Sequence, residues 1–523
     1  MEPQRAGSGF AALIMRGTNA MVGLLVPLLL VLAAGCAGGA ATPAAPSAKP
    51  YAFVNGRWFD GEQFQPDTWY SVQGRLTRQL PPGPVETVDL SGLYMVPPFG
   101  EAHNHNVEGP WNVQEVARRY LQDGVFYVKN PNDVRDFALQ IRHAVNVPTS
   151  LDAIFAHAGL TGRGGHPVAL YEDVLRVARY EPVVGPIERG WFENRSYVVV
   201  DTEAEVESKW PVIMSGRPDF LKLYLVHSED DGGSVEVRPG HHRQGLHPAL
   251  VPGIVARAHA AGLQVTAHVE TAADFRHAVR AGVDELAHVP GWLLQGPEDA
   301  EHARLTEEDA RLAAAQKVRV VTTSVAGQAM PSLGGHHQHG QQAGHGPGPE
   351  AKHHSSPADP VSHVLRDNLL LLQRAGVSLL IGSDHAETSL AEVQHLRSLR
   401  LFDDRTLLKM WCESTPAAIF PGRRIGRFEE GYEASFLALA GNPLEDFEQV
   451  RAIRRRFKQG YRSMIPWEST LLGRQRTGRV GNASRGQPAL RQHPWIGLGM
   501  KGSTRWSGVS GIDVWWAVWL PWS

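Results

Sequence analysis

The stretch "PFGEAHNHN", residues 98–106, sets His103 and His105 two apart, directly after the apolar run "LYMVPPF" at 93–99. Two is the period of a strand, so both imidazoles of a strand end can face one ion. The spacing alone carries little, because 24 histidines among 523 residues predict about one such pair by chance. A second pair, His337 and His339, stands in the low-complexity stretch "GGHHQHGQQAGHGPGPEAKHHSS" at 334–356, where it follows no strand. The setting of the first pair therefore decides its meaning.

That setting is a series of eight strand-like runs separated by amphipathic stretches: "LYMVPPF", "GVFYVKN", "LDAIFAH", "FLKLYLV", "LQVTAHV", "VDELAHV", "VRVVTTS" and "SLLIGSD". Continuous apolar strands alternating with helices such as "LVPGIVARAHAAG" imply parallel strands buried on both faces. Eight units predict an α/β fold of the (β/α)8 TIM-barrel type, with an open doubly wound sheet as the alternative. In such a barrel the chemistry collects where strands end and βα loops begin.

Polar residues fall at those ends. The first run ends in His103 and His105, the fourth contains Lys222, the fifth ends at His268, the sixth at His288 and the eighth at Asp384. A lysine inside "FLKLYL" is costly as a bare cation. Carboxylated by CO2, it becomes an anionic oxygen ligand able to bridge two metals. Any one of these residues alone would read as hydrogen-bonded scaffolding, whereas six at one mouth point to a metal centre.

The order His-x-His, Lys, His, His, Asp resembles the metal-dependent amidohydrolase superfamily, in its binuclear subtype with a carboxylated lysine, closest to the imidazolonepropionase and Xaa-Pro dipeptidase branch. Short β-like pieces at 51–92, with turn residues Asn55-Gly56 and Gln73-Gly74, and "EEGYEASFLALAGNPLEDF" within 424–460 are similar to that family's small β-sandwich domain built from both ends of the chain. Ser435 stands where the family usually has Asp, and Glu101 where an Asp is common; neither is a ligand position. The resemblance implies that His103, His105 and Asp384 hold a more buried metal, His268 and His288 a more exposed one, and that carboxylated Lys222 bridges them. Zinc is the default ion for such a nitrogen and oxygen set, with manganese, iron and cobalt open.

The chemistry implied is hydrolysis of an amide, cyclic amide or dipeptide C–N bond by a hydroxide bridging two divalent ions, with Asp384 as the proton-transfer group. The same residues leave open an ester, lactone or phosphotriester hydrolase, and a periplasmic metal-dependent binding protein without turnover. Substrate contacts are expected from "TGRGGHP", through Arg163 and His166, and from His227; "RPGHHRQGLHP" at 238–248 adds a longer polar loop.

The ends of the chain suggest export. Arg16 precedes an apolar run to Ala34 and then "GC", a signal-peptide layout over 1–36 whose "LAAGC" resembles a bacterial lipobox, with Cys36 the lipidated residue. Residues 37–50 read as a flexible tether, 93–423 as the barrel, and 461–523, with seven of the 14 Trp, as an atypical and poorly ordered tail. The expected location is the bacterial periplasm, with membrane attachment through the lipid alone. A formal charge of −3 excludes a field suited to nucleic acid. The partner is then a small-molecule substrate, and a homo-oligomer remains open. Cys412 is the only other cysteine, so no intrachain disulfide framework is available once Cys36 is lipidated.

Overall fold

The structure is a computed structural model, and it describes residues 48–230, 245–294, 297–329 and 360–462. The signal-like segment with Cys36, most of the 37–50 tether, the loop residues 238–244, the pair His337 and His339, and the tail beyond Arg462 lie outside the described residues. No helix among the described residues is long and apolar enough to cross a membrane.

Five strands open the described chain: β1 (Tyr51–Phe59), β2 (Phe64–Val72), β3 (Arg75–Thr77), β4 (Glu86–Asp89) and β5 (Tyr94–Val96). Ten strands that pair only in parallel follow: β6 (Phe99–Glu101), β7 (Val125–Asn130), β8 (Asp152–Phe155), β9 (Gly159–Thr161), β10 (Tyr197–Val199), β11 (Leu221–Tyr224), β12 (Val265–His268), β13 (Glu285–Ala287), β14 (Arg319–Val321) and β15 (Ser378–Leu380). The last three are β16 (Phe436–Leu439), β17 (Ile453–Lys458) and β18 (Tyr461–Arg462).

One sheet joins both ends of the chain in the order β18-β17-β16-β5-β1-β2-β3, with β4 on β1. Its seam is the antiparallel pairing of β16 with β5, where Leu437 faces Val96 and Leu439 faces Tyr94. Aromatic side chains fill its core: Phe53 meets Phe436 edge-on at 4.8 Å and Phe457 at 5.0 Å. Tyr461 and Arg462, read from the sequence as tail, belong to this sheet. Asn55-Gly56 makes no turn between strands. It lies within β1 at a register shift between Phe53 and Gly56, so the backbone bulges and continues.

The parallel strands form two sheets, β6-β7-β8 and β10-β9-β11-β12-β13-β14-β15. Their buried faces match the continuous apolar runs: every residue of β7, β11, β12 and β13 is buried. Hydrogen bonds tie the two sheets in two places. Ala102 N donates to Ile381 O at 2.8 Å and His105 N to Asp384 O at 3.3 Å, while Asp219 N, just before β11, donates to Phe155 O at 2.8 Å. A buried ion pair links them internally, from Lys129 Nζ on β7 to Glu285 Oε1 on β13 at 2.7 Å, with Thr266 Oγ1 on β12 at 2.8 Å.

Two details depart from the eight-run reading. The run "LYMVPPF" splits between sheets: Tyr94–Val96 joins the mixed sheet as β5, and only Phe99–Glu101 joins the parallel set. Pro97 and Pro98 lack the N–H groups that would continue a ladder. The third unit is also longer than expected, because β9 and β10 follow β8 and place Gly159–Thr161 beside β11. Helices cover the strands with the predicted periodicity; in Val113–Gln122 the buried set is Val113, Val116, Ala117, Tyr120 and Leu121.

Candidate active site

The backbone bends at Ala102 and His103 beyond β6, and Asn104 then bridges in parallel to Asp384 just past β15. The side chains of 103–105 nonetheless alternate. Asn104 turns away, donating to Ser383 Oγ at 3.0 Å and Ala386 O at 2.9 Å, while His103 and His105 turn to the mouth. His103 Nε2 lies 3.5 Å and His105 Nε2 3.3 Å from the same atom, Asp384 Oδ1. Gly382 permits this closeness: a Cβ there would stand 2.9 Å from His103 Cβ and 2.4 Å from Val321 Cγ1.

His288 follows β13 with φ 82°, and its ring centre lies 4.8 Å from that of His103 and 4.6 Å from that of His268, the last residue of β12. Lys222 sits on β11 opposite Thr266, with Nζ 5.3 Å from the Tyr224 ring centre. Gly159 makes room for both side chains, since a Cβ would meet Tyr224 at 2.4 Å and Lys222 Cγ at 3.1 Å. All six sequence-predicted ligands thus stand at one end of the parallel strands. His103, Lys222, His268, His288 and Asp384 are buried, and His105 is half-buried.

The hydrogen bonds behind the imidazoles specify which nitrogens face inward. His105 Nδ1 lies 3.0 Å from the carbonyl of Asn132, which can only accept, so Nδ1 carries a proton and Nε2 is the nitrogen that faces the Asp384 carboxylate. A cation, whether a proton on Nε2 or a metal, fits between the two groups at that distance. His288 Nδ1 lies 2.7 Å from Thr323 Oγ1, and His268 Nε2 3.0 Å from Glu270 Oε1, which leaves Nε2 of His288 and Nδ1 of His268 unengaged by these contacts. His103 Nδ1 is buried with no hydrogen-bond partner. The ligand atoms of His103, His105 and Asp384 all lie within 4.8 Å of one another. Atoms held at ~2.0–2.1 Å around a tetrahedral ion are about 3.3–3.4 Å apart, so the 3.3 and 3.5 Å separations fit a divalent metal.

Electrostatics favour the same state. Burial, reinforced by Lys222, pushes His268 down to about 3 and holds His103 well below its ordinary value. Burial and then His268 do the same for His288. Neutral imidazoles are the form that binds metal. Burial also lowers the Lys222 ammonium to about 7, against the pull of Asp384. Burial works to raise the Asp384 carboxyl, but His385, His103 and His105 outweigh it and hold it well below the usual range.

The predicted substrate contacts separate. His166 does reach the mouth, its ring centre 5.0 Å from His268 and 5.1 Å from Tyr224. Arg163 does not: its guanidinium is exposed and pairs with Asp201 at 3.2 Å, and its N–H also donates to Asp201, so the glycine-rich turn points it outward. His227 has both ring nitrogens directed at carboxylates, Glu229 at 3.1 Å and Glu270 at 3.7 Å.

Several neighbours escaped the sequence reading. Glu270 and Tyr224 stand two residues beyond His268 and Lys222, a same-face spacing that could have flagged them. His385, 3.5 Å from Asp384 Oδ1, directly follows a predicted ligand. Trp292 stacks on His288 at 4.3 Å and Asn132 supports His105, yet neither has a spacing signal.

No family model and no curated protein matches this chain. Solved structures do. An amidohydrolase shares 19% identity over 79% of this chain and 98% of its own, with a TM-score of 0.55. A Xaa-Pro dipeptidase with bound methionine shares 16% over 79% and 99%, with a TM-score of 0.57. Phenylurea hydrolase B shares 17% over 80% and 97%, also at 0.57. At these identities the likeness is one of architecture, and the chain has the fold shared by solved structures that fit the metal-dependent amidohydrolase superfamily.

Proposed function

We propose that the chain is a binuclear metal-dependent hydrolase of carbon–nitrogen bonds, acting on an amide, cyclic amide, urea or dipeptide. The observation that carries this is the convergence of His103 Nε2 and His105 Nε2 on Asp384 Oδ1, beside the rings of His268 and His288. In this reading the two parallel sheets act as one eight-unit barrel, and the mixed sheet is its accessory domain. Export with Cys36 as the lipid attachment belongs to the same proposal and rests on sequence alone.

His103, His105 and Asp384 would hold one ion and His268 and His288 the other, with zinc the default pair. Two divalent ions would supply Lewis acidity toward the scissile carbonyl and acidify water at the site. The protein's own part follows from its charges. Lys222, brought to about 7 by burial, keeps a large neutral fraction near pH 7, and only a neutral amine adds CO2. The resulting carbamate is an anion and would offset the charge of two cations. Lys129 cannot take this part, because Glu285 already pairs with it. Asp384, ionised and on the inner wall, is placed to accept the proton of the attacking water and pass it to the leaving nitrogen. Tyr224 and His166 beside His268, and Trp292 stacked on His288, would exclude water around the substrate.

The test is to purify the full chain, measure bound metal, and screen dipeptides, cyclic amides and ureas beside lactones and phosphotriesters. Turnover of a C–N substrate that chelation removes and zinc or manganese restores is expected. No bound metal together with no activity after addition of either ion would end the proposal, and turnover confined to lactones or phosphotriesters would replace it.

A further inference from the structure

A second cluster of metal-type ligands lies on the rim, apart from the six residues above. His227 and Glu229 follow β11, and His302 ends the helix Pro297–His302. His227 Nδ1 is 3.1 Å and His302 Nδ1 3.4 Å from one atom, Glu229 Oε1, and the three ligand atoms all lie within 4.8 Å of one another. These separations are near the ~3.3–3.4 Å expected between ligands at ~2.0–2.1 Å around a tetrahedral ion.

The groups behind these ligands are arranged as in a metal site. Glu229 has its other oxygen fixed by Thr271 Oγ1 at 2.9 Å, which leaves Oε1 for the two imidazoles. His227 Nε2 is 3.7 Å from Glu270 Oε2, which puts a carboxylate on the side of the far ring nitrogen at ion-pair rather than hydrogen-bond distance. The loop itself is clamped, since Asp274 accepts from the N–H groups of His227 at 3.2 Å and Ser228 at 2.9 Å. Two imidazoles and one carboxylate from two separate elements suit a first-row divalent cation and leave a coordination position for water.

We infer that His227, Glu229 and His302 form a further divalent-metal site, of zinc type, that pins residues 227–229 after β11 to the helix Pro297–His302. Glu270 links it to the main centre, because its Oε1 holds His268 while its Oε2 faces His227. The site shares no ligand with the proposed hydrolytic centre and stands or falls separately from it.

The test uses full-length protein, stripped with chelator, reloaded with zinc chloride, desalted and counted for zinc by mass spectrometry. Wild type should hold one zinc per chain more than His302→Ala and one more than Glu229→Gln. Asp384→Asn should keep that zinc whatever it loses elsewhere. Histidine-rich segments bind equally in every variant, so they cancel in the difference. Equal zinc in wild type and a His302→Ala protein with native circular dichroism overturns the inference. So does loss of this zinc in Asp384→Asn with none lost in His302→Ala. If the hydrolytic centre proves empty, the difference between wild type and His302→Ala still decides this site.

Discussion

His105 turns Nε2 toward the carboxylate of Asp384 at 3.3 Å because the Asn132 carbonyl engages its other ring nitrogen. The residue pair is thus set for a cation. Replacing Asp384 by Asn removes both a ligand charge and the proposed proton acceptor. Its kcat should fall about 10²–10⁴-fold, the range for losing a general base, with KM changing far less. Steady-state kinetics on metal-reconstituted protein check this, and a variant that alters only KM would remove Asp384 from proton transfer.

Lys222 is the one buried lysine at the site without an ion-pair partner among the described residues. Lys222→Ala and Lys222→Arg should both bind less metal than wild type, since neither side chain can become a carbamate. Metal analysis after equal reconstitution decides it, and an unchanged stoichiometry in both would refute the bridging role.

The buried Lys129–Glu285 pair crosses from one parallel sheet to the other. Lys129→Met leaves Glu285 buried with only the longer contact to Arg319, 3.7 Å away, as countercharge and should destabilise the fold by up to about 3–5 kcal/mol. The double change Lys129→Met with Glu285→Leu should recover much of that loss. Denaturant unfolding of the single and double variants measures it; equal stability of Lys129→Met and wild type would show that the pair contributes nothing.

His227 is raised from 6.5 to about 9, chiefly by its hydrogen bond to Glu229, against the cost of burial. A raised folded-state pKa means stabilisation fully present below about pH 6.5 and lost as pH rises through about 9. In chelator, which keeps metal from competing with the proton, Tm should therefore fall across this window in wild type and fall less in His227→Gln. Parallel Tm curves for the two proteins would contradict the assignment.

Much of the fold and of the grouping of the candidate site residues was legible in the chain. Period two explains why His103 and His105 share a face while Asn104 leaves it, and continuous apolar runs mark β7, β8 and β11–β15. The eight-run reading erred where local chemistry intervened: Pro97-Pro98 divides one run between two sheets, and Asn55-Gly56 bulges within a strand.

Sequence by itself determined the candidate ligand types, their order and the strand ends that carry them, because burial pattern and side-chain alternation are local properties. Only the tertiary structure decided which loop residues face the mouth. Arg163 leaves because Asp201, 38 positions away, holds it, and His227 meets His302 through Glu229 because Asp274 and Thr271 fix that loop. Stacking of Trp292 on His288 is decided the same way. Side-chain direction in a loop depends on distant partners, and those contacts have no period in the chain.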